Sequence, residues 1–151
     1  MNKDIFNSIC SQVFDSLEET EQLTIYFEGE NSQYFRFNDS KLRQSGIIED
    51  YAVTISIFNG KKSLQSSTTI SADIDSSVNN LINEVSALRE PLELIPENEF
   101  TVFPNSFDSI DIYTKGKLPK RDDILDLLMN IIKVDKLTGV WTCLLYTSPS
   151  P

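Results

Sequence analysis

Apolar residues near the amino terminus recur at three- and four-residue spacing. Ile5, Phe6, Ile9, Val13 and Leu17 share one stripe, with Lys3, Asn7, Ser11 and Asp15 between them. That pattern predicts an amphipathic helix over 4–17. The acidic stretch Glu18-Glu-Thr-Glu21 follows as a solvated connection. From Leu23 the period shortens to two: Leu23, Ile25 and Phe27 alternate with Thr24, Tyr26 and Glu28. Gly29-Glu-Asn31 interrupts this run before Tyr34-Phe-Arg-Phe37, which predicts a β-hairpin with its loop at 29–31. Asn38-Asp-Ser40 is turn chemistry, and 41–48 reads as another extended piece with a bulge or bend at Gly46.

Tyr51, Val53, Ile55 and Ile57 lie on one face of a strand that ends at Asn59-Gly60, a strong hairpin signal. The return strand, 61–69, is rich in Ser and Thr and suits a half-exposed position. Ser71-Ala-Asp73 then offers capping oxygens to a second helix, whose Ile74, Val78, Leu81, Ile82, Val85 and Leu88 form one stripe and which Pro91 is expected to close. Residues 90–119 hold Pro91, Pro96, Pro104 and Pro119 and little periodicity, as a connector would. A third helix over 121–134 carries Ile124, Leu125, Leu128, Ile131 and Ile132 on one side, with Asp122 and Asp123 at its positive end. Lys136-Leu-Thr-Gly-Val-Trp-Thr142 opens a strand.

These elements predict an α+β fold, an antiparallel sheet flanked by two helices, followed by a linker and a third helix that leads into a further domain. The expected divisions are 1–89 for the α+β domain, 90–119 for the linker and 120–142 for the start of the next domain. The expected core of the first unit is Ile5, Ile9, Val13, Val53, Ile55, Val78, Leu81 and Val85. Phe27, Phe35, Phe37 and Tyr51 also read as core aromatics.

The last nine residues, Cys143 to Pro151, stand apart. They back-translate as TGT CTC TTA TAC ACA TCT CCG AGC CCA, which looks like the transposon end used to tag sequencing libraries, read in frame. On that reading residues 143–151 are non-native, the protein continues beyond Thr142, and Leu144, Leu145 and Tyr146 neither complete a strand pairing nor fill a hole in the core.

Composition narrows the chemistry. Thirteen basic residues against 23 acidic ones leave a formal charge of -10, which repels a phosphate backbone and argues against nucleic acid. No apolar run approaches the roughly 18 residues of a membrane span, and no signal-peptide pattern opens the chain, so the expected location is the cytoplasm. The chain has no histidine and two cysteines, Cys10 and Cys143. Histidine-activated nucleophiles are therefore excluded, and a closed zinc site has too few ligands. No catalytic residue is expected in this stretch, and Cys10 within an apolar stripe reads as a small core side chain.

The segment with most character is Tyr34-Phe-Arg-Phe-Asn-Asp-Ser-Lys-Leu-Arg-Gln-Ser-Gly46, followed by Tyr51 to Ile57 and Asn59-Gly-Lys-Lys-Ser63. It resembles the amino-terminal domain of the TldD/PmbA family, where an Arg-Phe-Asn strand, an Arg-Gln pair and a glycine-turn hairpin occur in this order. Lys136-Leu-Thr-Gly-Val-Trp141 is similar to the strand by which that family enters its next domain. The resemblance implies a cytosolic peptidase system in which a TldD-type subunit pairs with a TldE/PmbA-type subunit and cleaves peptides or unfolded proteins. In such proteins zinc is held by a His-Glu-x-x-x-His helix. No position here matches that motif, so zinc is expected in the full-length protein or its partner subunit rather than in this stretch. The implied role is a non-catalytic domain for substrate enclosure and subunit pairing. The alternatives are a PmbA-type partner subunit or an unrelated α+β interaction module.

Arg36, Lys41, Arg43 and Gln44 are the candidate contacts for a peptide substrate or partner subunit, since cations and amides on an extended strand can hold carboxylates and backbone. The other reading of the same residues is a solvated strand face that balances Glu28, Glu30, Glu49 and Asp50.

Overall fold

The computed structural model describes residues 3–103 and 116–147. Seven elements follow in order: α1 (Lys3–Phe14), β1 (Glu21–Asn38), β2 (Lys41–Asn59), β3 (Lys62–Thr69), α2 (Ile74–Leu94), α3 (Arg121–Ile132) and β4 (Gly139–Thr147). The strands form one antiparallel sheet in the order β3-β2-β1-β4, so the fold is α+β. Among the described residues no helix is long and apolar enough to cross a membrane.

Two compact units share the long strands. One gathers residues 3–28 and 51–103, the other 29–50 and 116–147. The division therefore runs through β1 and β2, and residues 29–50, expected with the first unit, belong to the second. Residues 104–115 of the connector and the end of the tail lie outside the described residues.

In the first unit the helical stripes meet the sheet as their spacing requires. Ile9 and Val13 of α1, Val53, Ile55 and Ile57 of β2, and Leu81 and Val85 of α2 are fully buried in one cluster, with Leu23, Phe27, Ile70, Val78 and Leu92. Ile5 and Tyr51 pack against it half-buried. Each fully buried aliphatic side chain contributes about 1.5–3 kcal/mol over its exposed state, which is what fixes both helices to this face. Leu17 also packs on the core, although α1 ends before it: the Ser16 hydroxyl donates to Val13 O at 2.7 Å, a local bond that competes with another helical turn. Asp73 caps α2 as its position predicts, accepting from the Ser76 N–H at 2.7 Å.

Three expectations are corrected here. The hairpin loop at 29–31 does not exist, because β1 runs unbroken from Glu21 to Asn38. Its second half pairs with β4, Gly29 opposite Thr147 and Gln33 opposite Cys143, so a partner from the far end of the chain outweighs the local turn signal. Likewise 41–48 and 51–57 are one strand, β2. Gly46 lies inside it because a Cβ there would come within 2.7 Å of the Tyr34 ring, and only glycine allows that approach. Pro91 sits inside α2, which continues to Leu94. Leu92 is buried in the core and the Ile95 N–H closes on Pro91 O at 3.2 Å, so packing and one bond hold the turn beyond the proline.

In the second unit Phe35 and Phe37 are buried with Leu128 of α3, while Ile124, Leu125, Ile132, Leu137 and Trp141 pack around them. The two phenylalanines thus build a second core. β4 continues without a break past Thr142 to Thr147, contrary to the expectation that Leu144, Leu145 and Tyr146 complete no pairing. A strand ladder needs only backbone groups, which any non-proline sequence supplies.

Candidate functional site

The turn between β1 and β2 is the best-defined polar feature of the second unit. Asp39 and Ser40 both take left-handed backbone conformations, φ 47° and 58°, as a two-residue hairpin turn of this hand demands. Neither is glycine, so the conformation carries a cost and persists only where surrounding bonds enforce it. The segment before β4 supplies them. Ser40 N–H donates to Leu137 O at 2.8 Å, Leu137 N–H to Ser40 Oγ at 3.1 Å, and Asp39 N–H to Thr138 Oγ1 at 3.1 Å.

The four candidate contact residues flank this clamped turn. Arg36 lies on β1 opposite Val140, and Lys41, Arg43 and Gln44 open β2. All four are exposed, and among the described residues their side chains make no hydrogen bond or ion pair. Three cations within eight residues, on strands held by a rigid turn, are thus left open to an incoming carboxylate.

Sequence reasoning missed Arg121. Its guanidinium stacks 5.4 Å above the Phe35 ring and donates to Ser45 Oγ, while the buried Gln33 amide donates to Pro119 O at 2.9 Å. Together these bonds dock the start of α3. A cation at a helix start, where the dipole disfavours it, is the one signal that Arg121 has another partner.

The first unit has an open cleft of about 540 Å³ lined by Glu18, Glu21, Lys61, Lys62, Arg89 and Glu93 among others. Its charges are largely satisfied internally. Arg89 makes two parallel hydrogen bonds to Glu21, and the Lys62 ammonium donates to Glu93 O at 2.7 Å. The Arg89 hydrogen bonds hold the Glu21 carboxyl below its ordinary range, against the opposing effect of burial. Burial pushes the Cys10 thiol up to about 11, which leaves it unreactive near neutrality. The chain has no histidine, and among the described residues no three His, Cys, Asp or Glu stand together as metal ligands.

Comparison with solved structures decides the fold. TldE from Thermococcus kodakarensis matches with a TM-score of 0.58 at 12% identity, over 95% of this chain and 34% of that one. The chain has a TldE-type fold. A candidate modulator of a DNA gyrase from Thermotoga maritima matches equally, with a TM-score of 0.58 at 11% identity, over 94% of this chain and 35% of that one. The chain therefore spans about a third of the length of these structures, and the expected TldD/PmbA architecture is met at the level of fold. No protein-family model and no curated protein matches the sequence.

Proposed function

We propose that this chain is a non-catalytic domain of a TldD/PmbA-like peptidase subunit, which helps to enclose a peptide substrate and to pair the subunit with its partner in the cytoplasm. The observation that carries the reading is the fold likeness to TldE over 95% of the chain. The exposed cations Arg36, Lys41 and Arg43 around a rigid turn support a contact with an extended, acidic polypeptide. On this reading zinc is held in the full-length protein or its partner subunit, and no chemical step is assigned to these residues.

The test is reconstitution of the full-length protein with a TldD-type subunit, read by gel filtration and by hydrolysis of an unstructured peptide with zinc present. The reading expects a mixed complex, and weaker peptide binding when Arg36 and Arg43 are both changed to Glu. Absence of both complex and peptide binding would overturn it.

A second reading, the non-catalytic partner subunit of the TldE/PmbA type, is favoured by the match to a TldE. A His-Glu-x-x-x-His motif in the full-length gene would decide for the enzyme, and its absence for the partner.

A further inference from the structure

β2 turns into β3 through two residues, Gly60 and Lys61, beyond the last ladder pair, Asn59 opposite Lys62. The far side of this turn is tied down. The Asn98 N–H donates to Lys61 O at 2.9 Å, and the Lys62 ammonium donates to Glu93 O at 2.7 Å. The near side is free. Asn59 and Gly60 are exposed, and among the described residues neither the Asn59 side chain nor the Gly60 N–H has a hydrogen-bond partner. Gly60 has φ 58°, and a Cβ there would meet nothing within 4 Å.

An asparagine loses its side-chain amide when the backbone nitrogen of the next residue reaches the side-chain carbonyl carbon. That nitrogen must be free of other bonds, so that solvent base can take its proton. The following side chain must not crowd the approach, and glycine has none. The asparagine backbone must also leave its extended angle for the five-membered ring to close. Asn59 ends the ladder, so opening one pair suffices. Asn7-Ser8 and Asn31-Ser32 differ: they lie inside α1 and β1, where backbone bonds hold both the angle and the nitrogen.

We propose that Asn59-Gly60 is a site of spontaneous covalent modification with water as the co-reactant. The Gly60 nitrogen gives up its proton and attacks Asn59 Cγ. The N–Cγ bond forms, the Cγ–Nδ2 bond breaks, and the amide leaves with a proton as ammonia. Water then opens the cyclic imide at either carbonyl. One opening gives aspartate, the other isoaspartate, which carries an additional CH2 in the main chain. Nothing is oxidised or reduced. The product adds one negative charge to the formal -10, and the new carboxylate lines the cleft that Asn59 shares with Lys61 and Lys62. The change is local to one hairpin and is independent of the origin of residues 143–151.

Storage of the folded 151-residue chain in mildly alkaline buffer, followed by peptide mapping with mass spectrometry, tests the proposal. Conversion at Asn59 should run about tenfold or more ahead of conversion at Asn7 and Asn31, and both aspartate and isoaspartate should appear at position 59. Methylation by an isoaspartyl methyltransferase reports the second product. Asn59→Gln, whose side chain is too long for the five-membered ring, should keep the circular dichroism spectrum and lower total isoaspartate. Conversion at Asn59 no faster than at Asn7 and Asn31, a product free of isoaspartate, or total isoaspartate undiminished in Asn59→Gln would each overturn the proposal.

Discussion

Arg89 clasps Glu21 with two parallel hydrogen bonds, Nε to Oε1 at 2.8 Å and Nη2 to Oε2 at 2.9 Å, and so ties the last turns of α2 to the first residue of β1. The same Nη2 donates to Ser16 O at 3.0 Å, and the Glu18 N–H reaches Glu21 Oε2 at 2.8 Å. The Glu21 side chain is only 4% exposed. A carboxylate this enclosed is stable only because its oxygens are so fully bonded, and the pair locks the acidic connection after α1 against α2.

Replacing Glu21 by Gln keeps the shape and removes the charge. The expected loss, read by urea unfolding at pH 7, is roughly 1.5–3 kcal/mol, the range for hydrogen bonds to charged groups. The pH dependence follows from the lowered carboxyl, which Arg89 chiefly causes. Its stabilisation is complete above the unfolded value of about 4.3 and disappears as pH falls through the lower folded value. The gap between wild type and Glu21→Gln should therefore be constant from about pH 7 to 5 and close in stronger acid. A gap that persists undiminished to about pH 2 would show that the charge is not its source.

What was legible in the sequence was mostly local. The stripes of α1 and α2, the cap at Asp73 and the Asn59-Gly60 hairpin follow from spacing and turn chemistry within a few residues, and the structure has them all. The errors share one cause, which is distance along the chain. Gly29 to Asn31 looks like a loop until β4 pairs beside it, more than a hundred residues later. Phe35 and Phe37 read as core aromatics from the sequence and are buried, but only α3 shows that they pack around Leu128. At the candidate site Arg36, Lys41, Arg43 and Gln44 were visible as residue types. The clamp from Leu137 and Thr138 that fixes the turn between them was not, since it joins positions 97 and 99 residues apart.

That clamp and those cations should separate on mutation. Ser40→Ala removes the acceptor of the Leu137 N–H and should cost about 1 kcal/mol in thermal or urea unfolding. Arg43→Glu changes an exposed side chain, so stability should move by less than about 0.5 kcal/mol while binding of an acidic peptide weakens. Equal destabilisation by both would mean that Arg43 serves the fold rather than a partner.

The two cysteines should react at different rates. With its thiol pushed up to about 11 by burial, Cys10 is rarely a thiolate at pH 7. Cys143 sits half-buried on an edge strand. Labelling by a small disulfide reagent at low protein concentration should therefore modify Cys143 faster than Cys10, which α1 and not an edge strand carries. Comparable rates for both would show that the Cys10 thiol is not held above its ordinary range.

Ending the chain at Thr142 asks how much the second half of β4 contributes. The lost residues pair with Gly29 to Gln33, and Cys143 and Leu145 are half-buried, whereas Leu144 and Tyr146 stand exposed. Each ladder bond has a net worth of only about 0.5–1.5 kcal/mol, and ordering each strand residue costs about 1–2 kcal/mol, so most of the gain cancels. What remains is the half-buried Leu145 and the shielding of Gln33, which together set an expected loss of roughly 1–2 kcal/mol. The loss should also be local. Hydrogen exchange should accelerate at the β1 amides from Gly29 to Gln33 while the amides around Leu81 and Val85 in the first core keep their protection. Unchanged exchange at Gly29 to Gln33 would show that residues 143–147 do not hold the strand position described here, and faster exchange at Leu81 would show that the first core depends on them.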